Sequence, residues 1–159
     1  MTSAEQEVAT ACPFCDIAAD PRRAVTLYED ENVVAFLDRG AIRPGHTQII
    51  SRDHIPTFEM LPAALLLRIG ALGQQLAQRM KTVYGVERVA FLFTGGDVAH
   101  VHAHVVPLHA KTDITSARYI TAPDAVSWGS AHLRQDREAL LVERDRLAFI
   151  PAPLPQAPG

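Results

Sequence analysis

Three histidines alternate with small apolar residues in His100-Val101-His102-Ala103-His104-Val105-Val106. In a β-strand successive side chains point to opposite faces. The three imidazoles would then share one face, about 6.5–7 Å apart, with Val101, Ala103 and Val105 on the other. Imidazoles so arranged repel one another when protonated and need partners when buried neutral. The chemistry open to them is metal ligation, nucleophilic attack or proton transfer near neutral pH. Catalytic zinc on two or three of them and a nucleophilic histidine with imidazole helpers are both compatible with the alternation. A second chemical pair is Cys12-Pro13-Phe14-Cys15, which holds the chain's two cysteines. CxxC spacing suits a metal site in a reducing compartment better than a disulfide framework. Two thiolates leave a tetrahedral zinc incomplete, so two histidines would have to fill it.

These residues need elements to hold them. Cys12 to Asp16 reads as a tight knuckle. Val25–Glu29 and Asn32–Leu37 read as strands around a turn at Asp30-Glu31, and His46–Ser51 as a third. A helix starts near Leu61-Pro62, with proline at an early helical position. Leu61, Leu65, Ile69, Leu72, Leu76, Met80 and Val83 give it an apolar stripe, and Gly85 a stop. Arg88–Phe93 and Val98–Val106 read as strands joined by a short turn, Thr94-Gly95-Gly96-Asp97. A shorter helix is expected over His132–Arg146, with Leu133, Leu140, Leu141 and Leu147 on its apolar face. The sum is an α+β domain of about five antiparallel strands, one main helix and a shorter C-terminal one. Residues 1–11 read as a mobile tail, 12–150 as one domain and 151–159 as a proline-rich extended tail.

Composition narrows the function classes. The chain has 159 residues, 15 basic and 18 acidic side chains, and a net charge of −3. No basic excess points to nucleic acid. No apolar run suggests a membrane span or a secretory signal, so the cytoplasm is the expected compartment.

His100 to Val106 matches, residue for residue, the signature His-φ-His-φ-His-φ-φ, with φ apolar, of the histidine triad (HIT) family, and the chain resembles that family upstream too. Cys12 to Ile17 is similar to the opening of its zinc-bearing branch, and Ala35-Phe36-Leu37-Asp38 to its nucleoside-pocket strand. Pro44 to Ile55 is similar to its central strand, and Gly95 and Val98 fall on the usual approach to the triad. The resemblance covers roughly Cys12 to Pro107.

It implies a HIT-like fold and nucleotidyl transfer from a phosphoanhydride or phosphoramidate bond. His102 would be the nucleophile, forming a nucleotidyl-imidazole that water cleaves to a nucleoside monophosphate. His104 would stabilise developing charge or pass a proton, and His46 would hold the nucleophile in its reactive tautomer. Zinc would be structural, held by Cys12, Cys15, His54 and His100. Asp38 at a strand end could accept from both ribose hydroxyls, with Phe36 and Ile17 against a purine base. The Gly95-Gly96 backbone, next to Asp97, could approach phosphate closely. The family also implies a homodimer through the main helix and an adjacent strand; here Leu66 and Leu67 lie off the main stripe and suit a second buried face. The substrate would be a purine nucleotide conjugate, a phosphoramidate or dinucleoside polyphosphate. A phosphorylase or nucleotidyltransferase is the alternative enzyme, and a nucleotide-binding protein without turnover the alternative outside enzymes.

The chain departs from the family pattern before and after the triad. The preceding loop is short, with Gly96 where glutamine is common and Asp97 where a hydroxyl is common. A carboxylate beside a phosphate is repulsive unless protonated, paired or turned away. The arginine frequent after the strand's proline is absent, leaving His109 or Lys111 to supply positive charge.

Overall fold

A computed structural model describes residues 12–96, 98–114, 120–122, 125–126 and 134–156. Five antiparallel strands form one sheet: β1 (Thr26–Glu29), β2 (Val33–Leu37), β3 (Thr47–Ser51), β4 (Arg88–Phe93) and β5 (His102–Leu108). Their order is β1-β2-β3-β5-β4, which puts the triad strand inside the sheet and β4 at an edge. Ile120–Ala122 (β6) and Ala125–Val126 (β7) make a separate two-stranded ribbon.

Helices cover both faces. α1 (Pro13–Ala19) lies on one, α2 (Ala63–Tyr84) on the other, and α3 (Arg137–Leu147) packs beside α2 and β1. Every residue of β2 is therefore buried, which explains its unbroken apolar run Val-Val-Ala-Phe-Leu. The main core joins the α2 stripe, Leu65, Ile69, Leu72, Leu76 and Met80, to the inward residues Val33, Ala35, Leu37, Ile49, Ala103 and Val105. The other face carries a smaller cluster of Cys12, Phe14, Ala18, Val34, Phe36 and Ile50. α2 ends where the sequence pattern places its stop, with Gly85 in the left-handed region at φ 64°, a conformation costly for a residue with a Cβ.

Four local expectations change. The CxxC segment is a helix: Pro13 occupies its first turn and the Cys12 carbonyl accepts from the Asp16 N–H. Pro62 caps α2 rather than lying within it. The β4–β5 connection is longer than a turn, because Phe93 pairs with Ala103. His100 thus precedes β5, which then runs through Pro107 to Leu108. α3 begins at Arg137, since the Asp136 carboxylate caps it by accepting from the Ala139 N–H at 2.8 Å; His132 and Leu133 lie outside the described residues. The segment at 151–156 is extended and follows α2, where Ala152 exchanges hydrogen bonds with the Gln75 amide and the Pro155 carbonyl accepts from Arg68.

Leu76 is wholly buried at the centre of the stripe. Leu76→Ala should lower the unfolding free energy by about 2–5 kcal/mol in urea denaturation; a loss under about 1 kcal/mol would show that the stripe does not carry the core.

Candidate active site

The site occupies the α1 face of the sheet. Cross-strand register places Phe36 opposite Gln48, Gln48 opposite His104, and Ile50 opposite His102. His100 joins this face from the approach to β5. There its N–H bonds the Val98 carbonyl, and the next N–H, of Val101, bonds the Ile55 carbonyl at 2.7 Å.

His100 meets the cysteines. Its Nε2–H donates to the Ser51 carbonyl at 2.7 Å. A carbonyl oxygen can only accept, so in the neutral ring the lone pair sits at Nδ1. That Nδ1 lies 3.5 Å from Sγ of both Cys12 and Cys15, and His54 Nδ1 lies 3.2 Å from Cys15 Sγ. The four donor atoms fall within 4.8 Å of one another. Burial, then Cys12 beside it, pushes the Cys15 thiol up to about 11. A divalent cation between the sulfurs would reverse that preference by stabilising thiolates. Two thiols and two imidazoles with available lone pairs fit a tetrahedral soft-metal site.

His102 is held differently. Its Nδ1–H donates to the His100 carbonyl at 2.7 Å, leaving the lone pair at Nε2. The ring is only 5% exposed and lies against Phe14, centroid to centroid 4.9 Å. Phe14 also touches Phe36 and His100, so one α1 side chain braces both the cysteine–histidine cluster and the middle histidine. Its periodicity signals only an apolar residue.

A second chain of hydrogen bonds fixes His46 and His104. The Ile42 N–H donates to His46 Nδ1 at 3.1 Å. His46 therefore carries its proton on Nε2, which faces His104 Nδ1 at 2.9 Å. His104 in turn keeps its proton on Nε2, 3.3 Å from Thr94 Oγ1. His46 thus contacts His104 rather than His102; the His100 carbonyl does the work of setting the His102 tautomer. The same bookkeeping argues against a metal among Asp38, His46 and His104, which also cluster, because His46 Nε2 is occupied by a proton.

Beside these histidines is a cavity of about 660 Å³ lined by Ile17, Phe36, Asp38 and Gln48, among others. Asp38 accepts from the Gly40 N–H at 2.7 Å and from Gln48 Nε2 at 2.6 Å. Gln48 Oε1 is buried without a hydrogen-bond partner. Gly95 and Gly96 do not line the cavity. Gly95 has φ 64°, a left-handed conformation that favours glycine, and follows Thr94 beside His104. Asp97 lies outside the described residues. His109 is at the opposite end of β5, its ring 6.4 Å from Tyr84 and its N–H on Asp113, roughly 20 Å along the strand from His102. It brings no charge to the triad. Arginines reach the cavity instead: Arg23, Arg39, Arg134 and Arg137 line it. Sequence reading missed them, and Gln48, because no spacing links such distant positions.

Residues 21–111 match the model of the HIT domain. The chain belongs to the HIT family. It is 29% identical over 118 residues to Protein hit of Bacillus subtilis, covering 71% of this chain and 81% of that protein. It is 32% identical over 105 residues, 61% of this chain and 71% of the relative, to an Arabidopsis thaliana protein named as a bifunctional adenosine 5'-phosphosulfate phosphorylase/adenylylsulfatase. Among solved structures it is similar to a Zn-bound histidine triad family protein from Mycobacterium smegmatis, at TM-score 0.63 and 25% identity, over 87% of this chain and 94% of that one. The HIT family thus includes hydrolases and a zinc-bound member. Among the described residues no helix is long and apolar enough to cross a membrane.

Burial pushes His104 down to about 3, aided by His46 and His102 and opposed by Asp38. An unfolded histidine binds a proton below about 6.5. Between there and about 3 the unfolded chain holds a proton that the folded chain refuses, so this group lowers stability as pH falls, by up to about 1.4 kcal/mol per unit. Melting temperatures should therefore drop from pH 7 to pH 5, and less steeply in His104→Gln. Parallel declines in both proteins would show that His104 is not held neutral.

Proposed function

We propose that this HIT protein is a nucleotidyl hydrolase acting at the α-phosphate of a purine nucleotide conjugate, a phosphoramidate, mixed anhydride or dinucleoside polyphosphate. The observation that carries the reading is the fixed tautomer of His102. With Nδ1–H bound to the His100 carbonyl, the Nε2 lone pair is available to attack phosphorus. The P–O or P–N bond to the leaving group breaks as the N–P bond forms; the leaving group departs with the bonding electrons, an amine carrying away a proton taken from solvent. The ring becomes cationic, and the same carbonyl stabilises its Nδ1–H. Water then cleaves the N–P bond, releasing the nucleoside monophosphate and restoring His102.

His104 acts as a neutral donor. Held far below the usual imidazole range, it offers Nε2–H to a phosphoryl oxygen in place of Thr94 rather than ferrying protons. His46 is a positioning residue that orients His104. Ile17 and Phe36 pack the base, Asp38 and Gln48 take ribose hydroxyls, and the Thr94-Gly95-Gly96 backbone lies along the phosphates. Zinc held by Cys12, Cys15, His54 and His100 would supply structure. A catalytic metal on the three triad histidines has less support, because the free nitrogen of His100 faces the cysteines and that of His104 accepts from His46. The name of the Arabidopsis relative, phosphorylase as well as adenylylsulfatase, keeps phosphate among possible acceptors. A homodimer is supported by exposed Leu67 and Phe91 on α2 and the edge strand β4.

His102→Ala should abolish turnover of adenosine phosphoramidate, and of diadenosine polyphosphates with or without phosphate, while the fold persists. Intact mass after rapid quench should show a nucleotidyl adduct on the wild-type protein alone. More than about a hundredth of wild-type kcat in the variant would exclude covalent catalysis by His102.

Metal binding is folding free energy for the segment that carries the cysteines. Chelation should speed hydrogen exchange in residues 12–19 and lower the melting temperature, leaving α2 and the sheet protected. Protein purified without added zinc should retain it; under about 0.2 equivalents per chain, with α1 still protected, would refute the site.

A further inference from the structure

The loop between β2 and β3, residues 38–46, carries a site residue at each end, Asp38 and His46. Its middle is anchored far from the cavity. Arg43 donates from Nε at 3.0 Å and from Nη2 at 2.8 Å to one carboxylate oxygen of Asp113. The other oxygen accepts from the His109 and Ala110 N–H groups, at 2.7 and 2.9 Å. Those two residues directly follow β5, the triad strand. Asp113 is wholly buried, so its charge-assisted bonds are little screened by solvent. The pair therefore fastens the loop to the end of β5.

Residues 42 and 43 are also the ones that hold His46. The His46 N–H donates to the Arg43 carbonyl at 3.0 Å, and the Ile42 N–H donates to the ring Nδ1 at 3.1 Å. The ring then gives its Nε2–H to His104 Nδ1 at 2.9 Å. These contacts close a circuit. It runs from His104 along β5 to His109 and Ala110, across Asp113 to Arg43, and through Ile42 and His46 back to His104. The donor that sets the His46 proton is thus referenced to the strand whose histidine it serves. Without the anchor, Ile42 can withdraw and His46 Nδ1 is free to take the proton. His46 Nε2 then becomes an acceptor, and nothing keeps the His104 proton on Nε2, the nitrogen beside Thr94. Neither Arg43 nor Asp113 lines the cavity, so loosening them acts on the triad and spares nucleoside contacts.

We propose that Arg43 and Asp113 are positioning residues for the reaction: they hold Ile42 so that His46 keeps the His104 proton on Nε2, where it meets a phosphoryl oxygen. The consequence for turnover rests on the nucleotidyl reading of the triad. The consequence for the His104 ring does not.

Kinetics and nitrogen NMR on the full-length, zinc-supplemented protein test it. Arg43→Gln should lower kcat for adenosine phosphoramidate about ten-fold and leave KM within about two-fold. Arg43→Lys, which keeps the charge and one donor, should fall between that variant and the wild type, and keeps the test open if Arg43→Gln does not fold. In a His46→Leu background the relay is already cut, so Arg43→Gln should there change kcat by less than about two-fold. An anchor that merely supports the fold would lower kcat by the same factor in both backgrounds. Imidazole 15N spectra at neutral pH read the relay without substrate. The His104 signals, assigned by their loss in His104→Gln, should show one Nε2–H tautomer in the wild type and a mixture in Arg43→Gln. An unchanged His104 spectrum, or equal kcat losses with and without His46, would overturn the proposal. A changed spectrum in a protein that forms no His102 adduct would keep the anchor and remove the hydrolase. An unchanged spectrum alongside the adduct would remove the anchor alone.

Discussion

The site depends on one hydrogen bond, from His102 Nδ1–H to the backbone carbonyl of His100 at 2.7 Å. It joins two clusters through adjacent parts of one residue. The His100 ring, with Nε2–H bound to Ser51, turns its free nitrogen toward two thiols. The His100 carbonyl fixes the proton of the next histidine, His102. Whatever holds the ring also holds the carbonyl, so the geometry of the Cys12-Cys15-His54-His100 cluster and the tautomer of His102 are set together. This is how an outer ligand shell ordinarily orients a reactive group, reached here through two residues of backbone.

Burying several imidazoles on one face has a physical cost that the surroundings must offset. Charged, they would repel and lose hydration; neutral, each needs both nitrogens satisfied. Two sets of contacts meet that demand without a net charge at every ring but His102, whose Nε2 is left free. One starts at the Ser51 carbonyl and runs through His100, while the His100 carbonyl serves His102. The other starts at the Ile42 N–H and runs through His46 and His104 to Thr94. Each begins at a backbone group fixed by the sheet or its loops, so proton positions follow from the fold. The loop that carries Ile42 is itself tied down by Arg43 on the fully buried Asp113, 2.8 Å apart. Asp113 also accepts from the His109 and Ala110 N–H groups. His109, which the sequence offers as a site cation, is part of this anchor's neighbourhood instead.

The sheet, its core and the main helix were legible because hydrophobic periodicity reports them directly. The α2 stripe and the five strands fall within a few residues of their expected positions. What was not legible required partners distant in sequence. Alternation alone puts His100 on the strand with His102 and His104, but Val101 pairs with Ile55 and the ring turns to the cysteines, so β5 starts two residues later. CxxC reads as a knuckle until Pro13 is recognised as a helix-starting residue. α3 starts five residues beyond the point its leucine pattern suggests, because the Asp136 carboxylate caps it there. Gln48 has the pattern of an ordinary strand position; only the pairing Phe36–Gln48–His104 shows it between the cavity and the triad. The cavity arginines come from three separate segments and leave no local signal.

The two faces of the sheet divide the work unequally. The α2 face is a large hydrocarbon core whose burial is independent of any ligand. The α1 face rests on a seven-residue helix, too short to be stable alone, with Phe14 and Ala18 as its buried residues. Its other attachments are the cysteines and the Arg52 guanidinium, which binds the Ala18 and Asp30 carbonyls and Glu29. Phe14 is the point where these attachments become chemical, because its ring contacts His100, His102 and Phe36 together. A shift of α1 would therefore move the wall of the cavity and the packing of His102 at once, while the core on the far face stayed as it is. The scaffold can be rigid and the site adjustable because different interactions hold them.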